Sequence, residues 1–444
     1  MAASSSGSGK ESCCDVLVIG GGPAGSTIGA LLAERGRDVV VLEKDRHPRF
    51  HIGESLLPLN LPLFDRLGVR AAVESIGMLK HGAQFNSAEH EKSLTYNFDD
   101  ALDPSWPYAY QVRRSEFDHL LLRNCAAKGA RVFEGTRVTA VEFAPGEVAV
   151  AAHSEDRGAA PWRARFLVDA SGRDTFLAGK FGIKRRNPRH ASAALFGHFT
   201  GAHRLPGREE GNISMYWFAH GWFWFIPLRD GTTSVGAVCW PYYLKTRTGD
   251  LTQFFLDTIA LSPGLADRLR DAKLVAPATA TGNYSYAAER MTGDRYIMVG
   301  DAFAFVDPVF SSGVYLAMQS AFLGADVVDA CLHRPAAAPR LQRRFDRTVR
   351  RGLRRFSWMI YRMTSPTIRD MFMGPTSVFR VRCGVISFLA GDVFRSGPTY
   401  RRLLVFRALY YLLSLASLRR SVGAWQRRRR AIKPVEENGV SRVA

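Results

Sequence analysis

A glycine-rich loop near the N-terminus constrains the fold of this chain more than any other feature. Residues 15–19 form an apolar run typical of a buried strand, and Gly20, Gly22 and Gly25 follow it in the spacing G-x-G-x-x-G. Residues 26–34 then have a helical pattern, and residues 38–42 have the pattern of a second strand. A strand, a glycine loop, a helix and a strand in this order are the signature of a Rossmann βαβ unit. We therefore expect a parallel sheet with a dinucleotide site at the start of the first helix.

The residues of this loop have distinct predicted roles. Gly20 permits a tight turn, Gly22 lets the backbone approach a pyrophosphate, and Gly25 allows the helix and strand to pack closely. Ala24 lies in the same turn, and Glu43 closes the second strand. An acid at this position accepts a hydrogen bond from a ribose hydroxyl. The four loop residues and Glu43 are therefore candidate cofactor contacts.

Two later segments strengthen this prediction. Residues 166–173 read FLVDASGR and residues 296–302 read YIMVGDA, so each is a strand that ends at a polar turn. Three separated segments that converge on one cofactor predict an α/β chain with a glutathione-reductase-type FAD-binding Rossmann fold. The chain has no second G-x-G-x-x-G loop, so we expect no dedicated nicotinamide domain. Either NAD(P)H binds transiently, or reduced flavin is supplied from outside.

An aromatic run, GWFWFIP at residues 221–227, is the second informative feature. Alternation places Trp222, Trp224 and Ile226 on one face of a predicted strand and two phenylalanines on the other. A strand in the core of a sheet sandwich has the same pattern. The run by itself therefore does not distinguish a structural role from a functional one.

The positive charge is concentrated near the C-terminus. Residues 1–339 hold 36 Lys and Arg against 36 Asp and Glu, whereas residues 340–430 hold 22 Arg against 3 Asp. Eight of these arginines recur at helical spacing: Arg340, Arg343, Arg344, Arg347, Arg350, Arg351, Arg354 and Arg355. The apolar residues between them fall on the opposite side, so an amphipathic helix is predicted. Its arginine face suits an acidic partner, an anionic membrane surface or simple exposure to solvent.

Residues 403–418 are apolar apart from Arg407 and small polar residues. This segment is shorter than the ~20 residues that a membrane-spanning helix needs. We expect a helix that packs on the body of the protein or lies in a membrane interface.

We divide the chain into a disordered leader (1–11), a core (12–338), an arginine-rich helical region (339–430) and a disordered tail (431–444). An antiparallel substrate-side sheet, at about 185–290, is expected as an insertion in the core. The leader is polar, without the apolar run of a secretory signal. The six cysteines show no paired spacing, which predicts reduced thiols, no metal site and a cytoplasmic protein.

The chain resembles the flavin-dependent halogenases, in particular the subgroup that acts on phenols or carrier-tethered pyrroles. The resemblance extends to about Arg395. The motifs that carry it are the glycine loop, FHIGES (50–55), KHGAQF (80–85), residues 114–121, the aromatic strand, GDAFAFVDPVFSSGV (300–314) and GDV (391–393). The tryptophan motif and Lys80 are the specific part, because many other flavoenzymes share the first and last FAD segments.

The resemblance implies that FAD, reduced by a separate flavin reductase, reacts with oxygen and a halide, chloride or bromide, to form hypohalous acid. Trp222 and Trp224 would separate the flavin from the organic substrate, and Lys80 would guide hypohalous acid to it through an ammonium or a haloamine. Backbone N–H groups of Ser312 and Gly313 would bind the halide. The implied cofactor contacts beyond the glycine loop and Glu43 are Arg49, Ser55, Arg114, Asp301, Gly313 and Val314.

One departure from the tryptophan halogenases bears on the substrate. Where those enzymes carry a glutamate, this chain has Phe310 before Ser311, Ser312 and Gly313. The absence of that glutamate implies a substrate that is already electron-rich, such as a phenol or pyrrole, or activation by another base.

The arginine helix then suits an acidic acyl or peptidyl carrier protein, with peripheral contact to the inner membrane surface as an additional interpretation. No nucleic-acid recognition motif is present, so we expect no nucleic-acid partner. A hydroxylating monooxygenase, a reductase resembling the geranylgeranyl reductases, and an inactive flavoprotein scaffold that docks carriers are the alternatives.

Overall fold

The computed structural model describes residues 12–187, 190–282 and 285–432. The predicted leader lies outside the described residues, and so does the predicted tail apart from the end of the last helix.

The strands are β1 (Ser12–Ile19), β2 (Val39–Leu42), β3 (Met78–Lys80), β4 (Gly82–Ser87), β5 (Lys92–Asn97), β6 (Ala109–Gln111), β7 (Arg131–Phe133), β8 (Thr136–Ala144), β9 (Glu147–Ser154), β10 (Gly158–Asp169), β11 (Lys184–Arg186), β12 (Ala193–Thr200), β13 (Ile213–Phe218), β14 (Gly221–Pro227), β15 (Thr233–Cys239), β16 (Lys273–Leu274), β17 (Thr279–Gly282), β18 (Tyr286–Ala288), β19 (Thr292–Gly293), β20 (Tyr296–Met298) and β21 (Ala304–Phe305). The helices are α1 (Pro23–Glu34), α2 (Leu61–Leu67), α3 (Arg70–Ile76), α4 (Arg114–Ala127), α5 (Phe176–Lys180), α6 (Pro241–Leu244), α7 (Leu251–Ala260), α8 (Pro263–Arg268), α9 (Gly313–His333), α10 (Ala338–Ile360), α11 (Pro366–Met373), α12 (Val381–Leu389), α13 (Pro398–Ala416) and α14 (Leu418–Ile432).

A mostly parallel sheet forms the first layer. Its main path has the order β19-β20-β10-β1-β2-β7, in which β20, β10, β1, β2 and β7 run parallel to one another. Three antiparallel strands complete the sheet: β19 on β20, β9 on β10, and β8 on β9. Ile19 pairs with Leu42 on one side and with Asp169 on the other. Because the carboxyl ends of parallel strands meet at one edge, the glycine loop and the two later polar turns lie together there. The predicted FAD-binding Rossmann fold is confirmed.

The second sheet is almost entirely antiparallel and has the order β16-β12-β15-β14-β13-β4-β5, with β17 paired to β12. β4 joins β13 in parallel, and β5 joins β4. The sheet is therefore wider than the insertion predicted at about 185–290, because two of its strands lie far earlier in the chain. The first of them, β4, begins two residues after Lys80, the last residue of β3.

The aromatic strand divides the hydrophobic interior. Trp222 and Trp224 pack in the larger core, which also contains the parallel sheet and the C-terminal helices. Phe223 and Phe225 are fully buried in a second, smaller core under α7 and α8. The predicted alternation of β14 is therefore confirmed, and the tryptophan side of the strand lies in the core that contains the parallel sheet.

The C-terminal third is helical. α10 buries Phe345, Val349 and Phe356, the apolar side of the predicted amphipathic helix. Within the described ranges one helix, α9, is long and apolar enough to cross a bilayer, and 61% of its most apolar window is buried inside the protein. The predicted apolar helix at 403–418 corresponds to α13 and the first residue of α14.

Candidate active site

A cavity of about 620 Å³ opens at the carboxyl edge of the parallel sheet. Most of the residues predicted from the sequence line it: Gly20, Gly22, Ala24, Glu43, Arg49, Ser55, Arg114, Trp222, Trp224, Asp301, Gly313 and Val314. Gly25, Ser312 and Lys80 are not on its wall.

The glycine loop has the shape that a dinucleotide needs. A Cβ on Gly20, which has φ of 97°, would lie 2.6 Å from the carbonyl oxygen of Ala170. A Cβ on Gly25 would lie 1.9 Å from the carbonyl oxygen of Gly20, so Gly25 serves the packing of α1 and does not face the cavity. At Gly22 the nearest atom is 3.8 Å away, on Arg49. The N-cap residue of α1 is Gly22, which has no side chain to cap the helix, so the first N–H groups of α1 suit a pyrophosphate. The residues fit FAD.

Backbone groups orient Glu43 at the end of β2. Its Oε2 accepts from the N–H of Gly21 at 2.5 Å, and its Oε1 accepts from the N–H of Asp45 at 2.9 Å. A carboxylate has about four lone-pair sites, so Glu43 can still accept from a ligand hydroxyl in the cavity.

Asp118 braces the strap, the segment of residues 49–55 that lines the cavity. Arg114 donates to both carboxylate oxygens of Asp118, at 2.7 and 2.9 Å, and to the carbonyl oxygen of Ile52 at 2.9 Å. Arg49 approaches the same carboxylate at 3.3 Å. Burial acts to raise the pKa of Asp118, but the guanidinium of Arg114, helped by that of Arg49, leaves it lowered. The predicted contact Arg114 therefore holds the strap, and Asp118 is a residue that sequence reasoning missed.

The two tryptophans form one side of the cavity. Their ring centroids are 6.1 Å apart at 52°, and Trp224 Nε1 donates to Ser234 Oγ at 3.1 Å. A Cβ on Gly236, on the neighbouring strand β15, would lie 2.2 Å from the Trp224 ring. Gly236 is therefore needed for the indole to lie flat on β15.

Lys80 lies behind the cavity wall and is 1% exposed. Its Nζ donates to Ser55 Oγ at 2.9 Å and to the carbonyl oxygen of Leu56 at 3.1 Å. The Phe98 ring centroid lies 5.4 Å from Nζ, and no acid within the described part of the chain forms an ion pair with it. Burial lowers the pKa of Lys80 to about 7. Because Ser55 is on the wall, this amine is one hydrogen bond away from the cavity.

The loop predicted to bind halide begins at Asp307, whose Oδ1 accepts from the N–H of Val309 at 3.1 Å. Ser311 adopts φ of 54°, and Ser312, which is buried, precedes α9. Gly313 faces the cavity and Ser312 does not. Phe310 packs edge-on against Phe388, with ring centroids 5.4 Å apart.

A buried polar chain joins this loop to the last helix. Asp307 Oδ2 lies 2.8 Å from His190 Nε2 and 3.2 Å from Ser192 Oγ. Arg428, on α14, lies 3.2 Å from His190 Nδ1 across 238 residues of sequence. An arginine only donates, so Nδ1 accepts and Nε2–H donates to Asp307. Burial lowers the pKa of Arg428 to about 10.

A second pair missed by sequence reasoning holds the strap from the antiparallel sheet. His198 Nε2, on β12, lies 2.9 Å from Oε1 of Glu54, which is 2% exposed and lines the cavity. Glu54 lies in the FHIGES segment, but nothing in the sequence pairs it with a histidine 144 residues away.

The sequence predicts reduced cysteines and no metal site. All six cysteines, each in the described part of the chain, are free thiols. Among the residues that the structure describes, no cluster of three or more His, Cys, Asp or Glu side chains could hold a metal ion.

Comparison with known proteins agrees with this geometry. The family model of the FAD binding domain, FAD_binding_3, matches residues 13–342. The flavin-dependent halogenase armH2 of Armillaria mellea is 36% identical over 346 residues, which cover 72% of this chain and 66% of that protein. The 1H-pyrrole-2-carbonyl-[peptidyl-carrier protein] chlorinase of Pseudomonas fluorescens is 29% identical over 405 residues, with 86% and 89% coverage.

Among solved structures, the myxobacterial chondrochloren halogenase CndH superposes with a TM-score of 0.75 at 35% identity. The superposition covers 79% of this chain and 82% of that one. This chain is an FAD-binding protein of the Rossmann class. It belongs to the flavin-dependent halogenase family, although it spans only about two thirds of the fungal relative, 66%.

Proposed function

We propose that this protein uses reduced FAD, oxygen and chloride or bromide to halogenate an electron-rich aromatic compound, a phenol or a pyrrole. Family membership supports the reaction class. The observation that carries the proposal is Lys80, a fully buried amine beside the cavity that has no carboxylate partner among the residues that the structure describes.

A buried lysine without a counter-ion destabilises a folded protein, because the charged form loses its hydration. Such a residue is a candidate for chemistry when it lies beside a cavity. With a pKa of about 7, Lys80 is present both as an ammonium and as a neutral amine at neutral pH. The ammonium would hydrogen-bond and orient hypohalous acid. The amine would react with it to give a haloamine and water, and the haloamine would pass its halogen to the ring in exchange for the ring proton.

The cofactor would be held along the cavity. The start of α1, with Gly22, would bind the pyrophosphate, Glu43 a ribose, and Asp301 a hydroxyl near the flavin. Burial raises the pKa of Asp301 to about 6, so it can also donate such a hydrogen bond. When bound and reduced, FAD supplies two electrons to oxygen, which with halide and a proton gives hypohalous acid and water.

The remaining residues would control where hypohalous acid goes. Trp222 and Trp224 would exclude the organic substrate from the flavin, so that it meets the oxidant only at Lys80. The N–H groups of Ser312 and Gly313 would bind the halide at the start of α9. Asp307 would keep that loop in shape, since His190 and Ser192 direct hydrogen bonds to it.

We further propose two protein partners: a flavin reductase that delivers reduced FAD by diffusion, and an acidic carrier protein that presents the substrate. The relative from Pseudomonas fluorescens acts on a pyrrole attached to a peptidyl carrier protein, which supports the second partner. Five arginines of α10 are exposed for such docking: Arg340, Arg343, Arg344, Arg347 and Arg354. Arg351 is less suitable, because it is half-buried and donates to Ser396. The free cysteines agree with a cytoplasmic location.

The test of the reaction combines the protein, a separate flavin reductase, oxygen, chloride or bromide, a phenol and a scavenger of hypohalous acid. We expect halide-dependent halogenation of both phenol and scavenger by the wild type. Lys80→Met should lose the phenol product at least about a hundredfold while scavenger halogenation continues. Equal loss of both products would remove Lys80 from the transfer step. Oxidation or reduction of the substrate without halide dependence would assign the protein to the monooxygenases or reductases.

Carrier docking is tested by reversing charge on α10. Arg343→Glu with Arg347→Glu should weaken turnover of a carrier-bound pyrrole at low salt and spare a free phenol, because electrostatic steering acts only on the acidic carrier. Arg123→Glu with Arg157→Glu is the matched control, since both side chains are exposed outside α10. Equal loss with both double variants would exclude docking at α10.

A further inference from the structure

The last two helices present an apolar surface that the body of the protein leaves open. Eight large apolar side chains on it are between 42% and 65% exposed: Leu404, Tyr411, Leu412, Leu413, Leu415, Leu418, Val422 and Trp425. Contiguous exposed apolar side chains of this size are unusual on a soluble monomer and mark an interaction site. We call this surface, with the arginines beside it, the C-terminal face.

Helical spacing places most of these side chains on one side of each helix. On α13, Leu404, Tyr411 and Leu415 share one side, and Leu403 and Phe406, away from that side, are buried. Leu413, seven residues after Phe406, is exposed on the other side of α13. On α14, Leu418, Val422 and Trp425 follow the spacing of one side and are exposed.

Every charge in this region is positive. Residues 393–432 contain ten arginines and no Asp or Glu. Two of the arginines attach α14 to the body: Arg420 pairs with Glu89 and Asp370, and Arg428 contacts His190. Five others are exposed and form no ion pair with any described residue: Arg401, Arg419, Arg427, Arg429 and Arg430. They flank the apolar stripe at its start, at the break between the helices and at its end.

We propose that the C-terminal face docks on an anionic lipid bilayer. α13 and α14 would lie in the plane of the interface, with their leucines at the boundary of headgroups and acyl chains and the arginines on lipid phosphates. Trp425 and Tyr411 are residue types enriched at this depth. Spanning is not part of the proposal, since the apolar segment at 403–418 is too short to cross and has Arg407 within it.

Charge and composition together favour lipid over a protein occupant. An acidic carrier needs arginines on a polar surface, and the outer side of α10 provides that without exposed large apolar residues. The C-terminal face instead combines exposed leucines with charge of one sign, which is the composition of helices that bind anionic membranes. The proposal stands independently of the halogenation chemistry.

The test is flotation of the purified full-length protein with two kinds of vesicle, phosphatidylcholine alone and phosphatidylcholine mixed with phosphatidylglycerol. We expect the wild type to float with the anionic vesicles, to stay behind with the neutral ones, and to be released by high salt. Leu412→Gln with Trp425→Gln should lower the bound fraction at least about tenfold, because each substitution removes a large apolar contact without changing charge.

Arg343→Gln with Arg347→Gln is the control, because it removes charge from α10 and leaves the C-terminal face intact. Its binding should stay within about twofold of the wild type if α10 takes no part. FAD binding and thermal unfolding of each variant check folding, and both substituted apolar side chains are more than half exposed, at 62% and 58%.

Three results would overturn the proposal. The first is no flotation of the wild type with anionic vesicles, and the second is flotation that the double glutamine variant leaves unchanged. The third is a wild-type dimer, measured by light scattering in the absence of lipid, that Leu412→Gln with Trp425→Gln converts to monomer; this would assign the C-terminal face to a second copy of the chain.

Discussion

Two buried basic side chains beside the cavity have opposite surroundings. Arg114 is 6% exposed and makes two hydrogen bonds to a fully buried carboxylate, Asp118. Lys80, behind the cavity wall, is 1% exposed, and among the described residues its Nζ has a hydroxyl, a carbonyl and the Phe98 ring as partners, with no carboxylate. Both side chains are long and basic, so the difference lies in the surroundings.

The two surroundings have different physical consequences. A paired guanidinium stays charged and stabilises the strap that lines the cavity. An unpaired buried amine is destabilising, and its pKa moves toward neutrality. The proposed role of Lys80 depends on this difference, because a group that titrates near neutral pH can gain or lose a proton during a reaction.

The largest expected effect is at the paired group, Arg114 with Asp118. Asp118→Asn leaves the buried Arg114 without its counter-charge, which costs about 3–5 kcal/mol of stability. Denaturant unfolding measures this, and FAD affinity should fall because the carbonyl of Ile52 loses a fixed donor. Glu116→Gln, exposed on the same helix, is the control and should change stability by less than about 0.5 kcal/mol. A loss of stability below about 1 kcal/mol for Asp118→Asn would show that Arg114 does not depend on its carboxylate partner.

Removing the unpaired basic group, Lys80, should change the stability in the opposite direction. Lys80→Met removes a buried charge that has no partner, so we expect the free energy of unfolding to rise by about 1–4 kcal/mol. The same denaturant measurement applies, with Lys92→Met, an exposed lysine of β5, as the neutral control. Destabilisation by Lys80→Met would mean that its two hydrogen bonds outweigh the cost of burial.

The pH dependence tests the same residue without changing its shape. The unfolded chain keeps the Lys80 proton up to pH about 10.5, whereas the folded protein releases it above pH about 7. Between these values the unfolded state binds more protons, so stability rises with pH by up to about 1.4 kcal/mol per unit. This rise should be missing in Lys80→Met, measured as the difference between the two unfolding curves.

Activity adds a second pH measurement. If the neutral amine of Lys80 takes up the halogen, phenol halogenation rises about tenfold per unit below pH 7 and levels off above it. If the ammonium orients hypohalous acid, halogenation falls above pH 7 instead. Halogenation of the scavenger monitors the earlier steps and corrects for their own pH dependence.

The smallest expected effect is at the tryptophan side of the cavity. Trp222→Leu with Trp224→Leu opens space beside the flavin, so we expect a several-fold fall in halogenated product per reduced FAD consumed. Phe223→Leu with Phe225→Leu is the matched control on the other face of β14, which has no contact with the cavity. An equal fall in both pairs would attribute the effect to loss of packing in the strand.

Features that depend on neighbours in sequence were predictable. Three such features follow from the spacing of residues close in sequence, and the structure has each of them: the glycine loop, the alternation of β14 and the amphipathic pattern of α10. The resemblance to halogenases also rests on such local motifs. This is why the fold class and most of the cavity wall follow from the sequence.

The burial and pairing of charges were not predictable. Lys80 has the sequence environment of an ordinary strand end, and it is buried by contacts with segments that the local pattern does not show, Ser55, Leu56 and Phe98. The chain from Asp307 through His190 to Arg428 joins residues far apart in sequence. The sequence by itself determined the glycine loop at the edge of the parallel sheet, because local spacing sets backbone shape. Only the tertiary structure decided which charges are paired, because desolvation and ion pairing depend on what distant segments bring into contact.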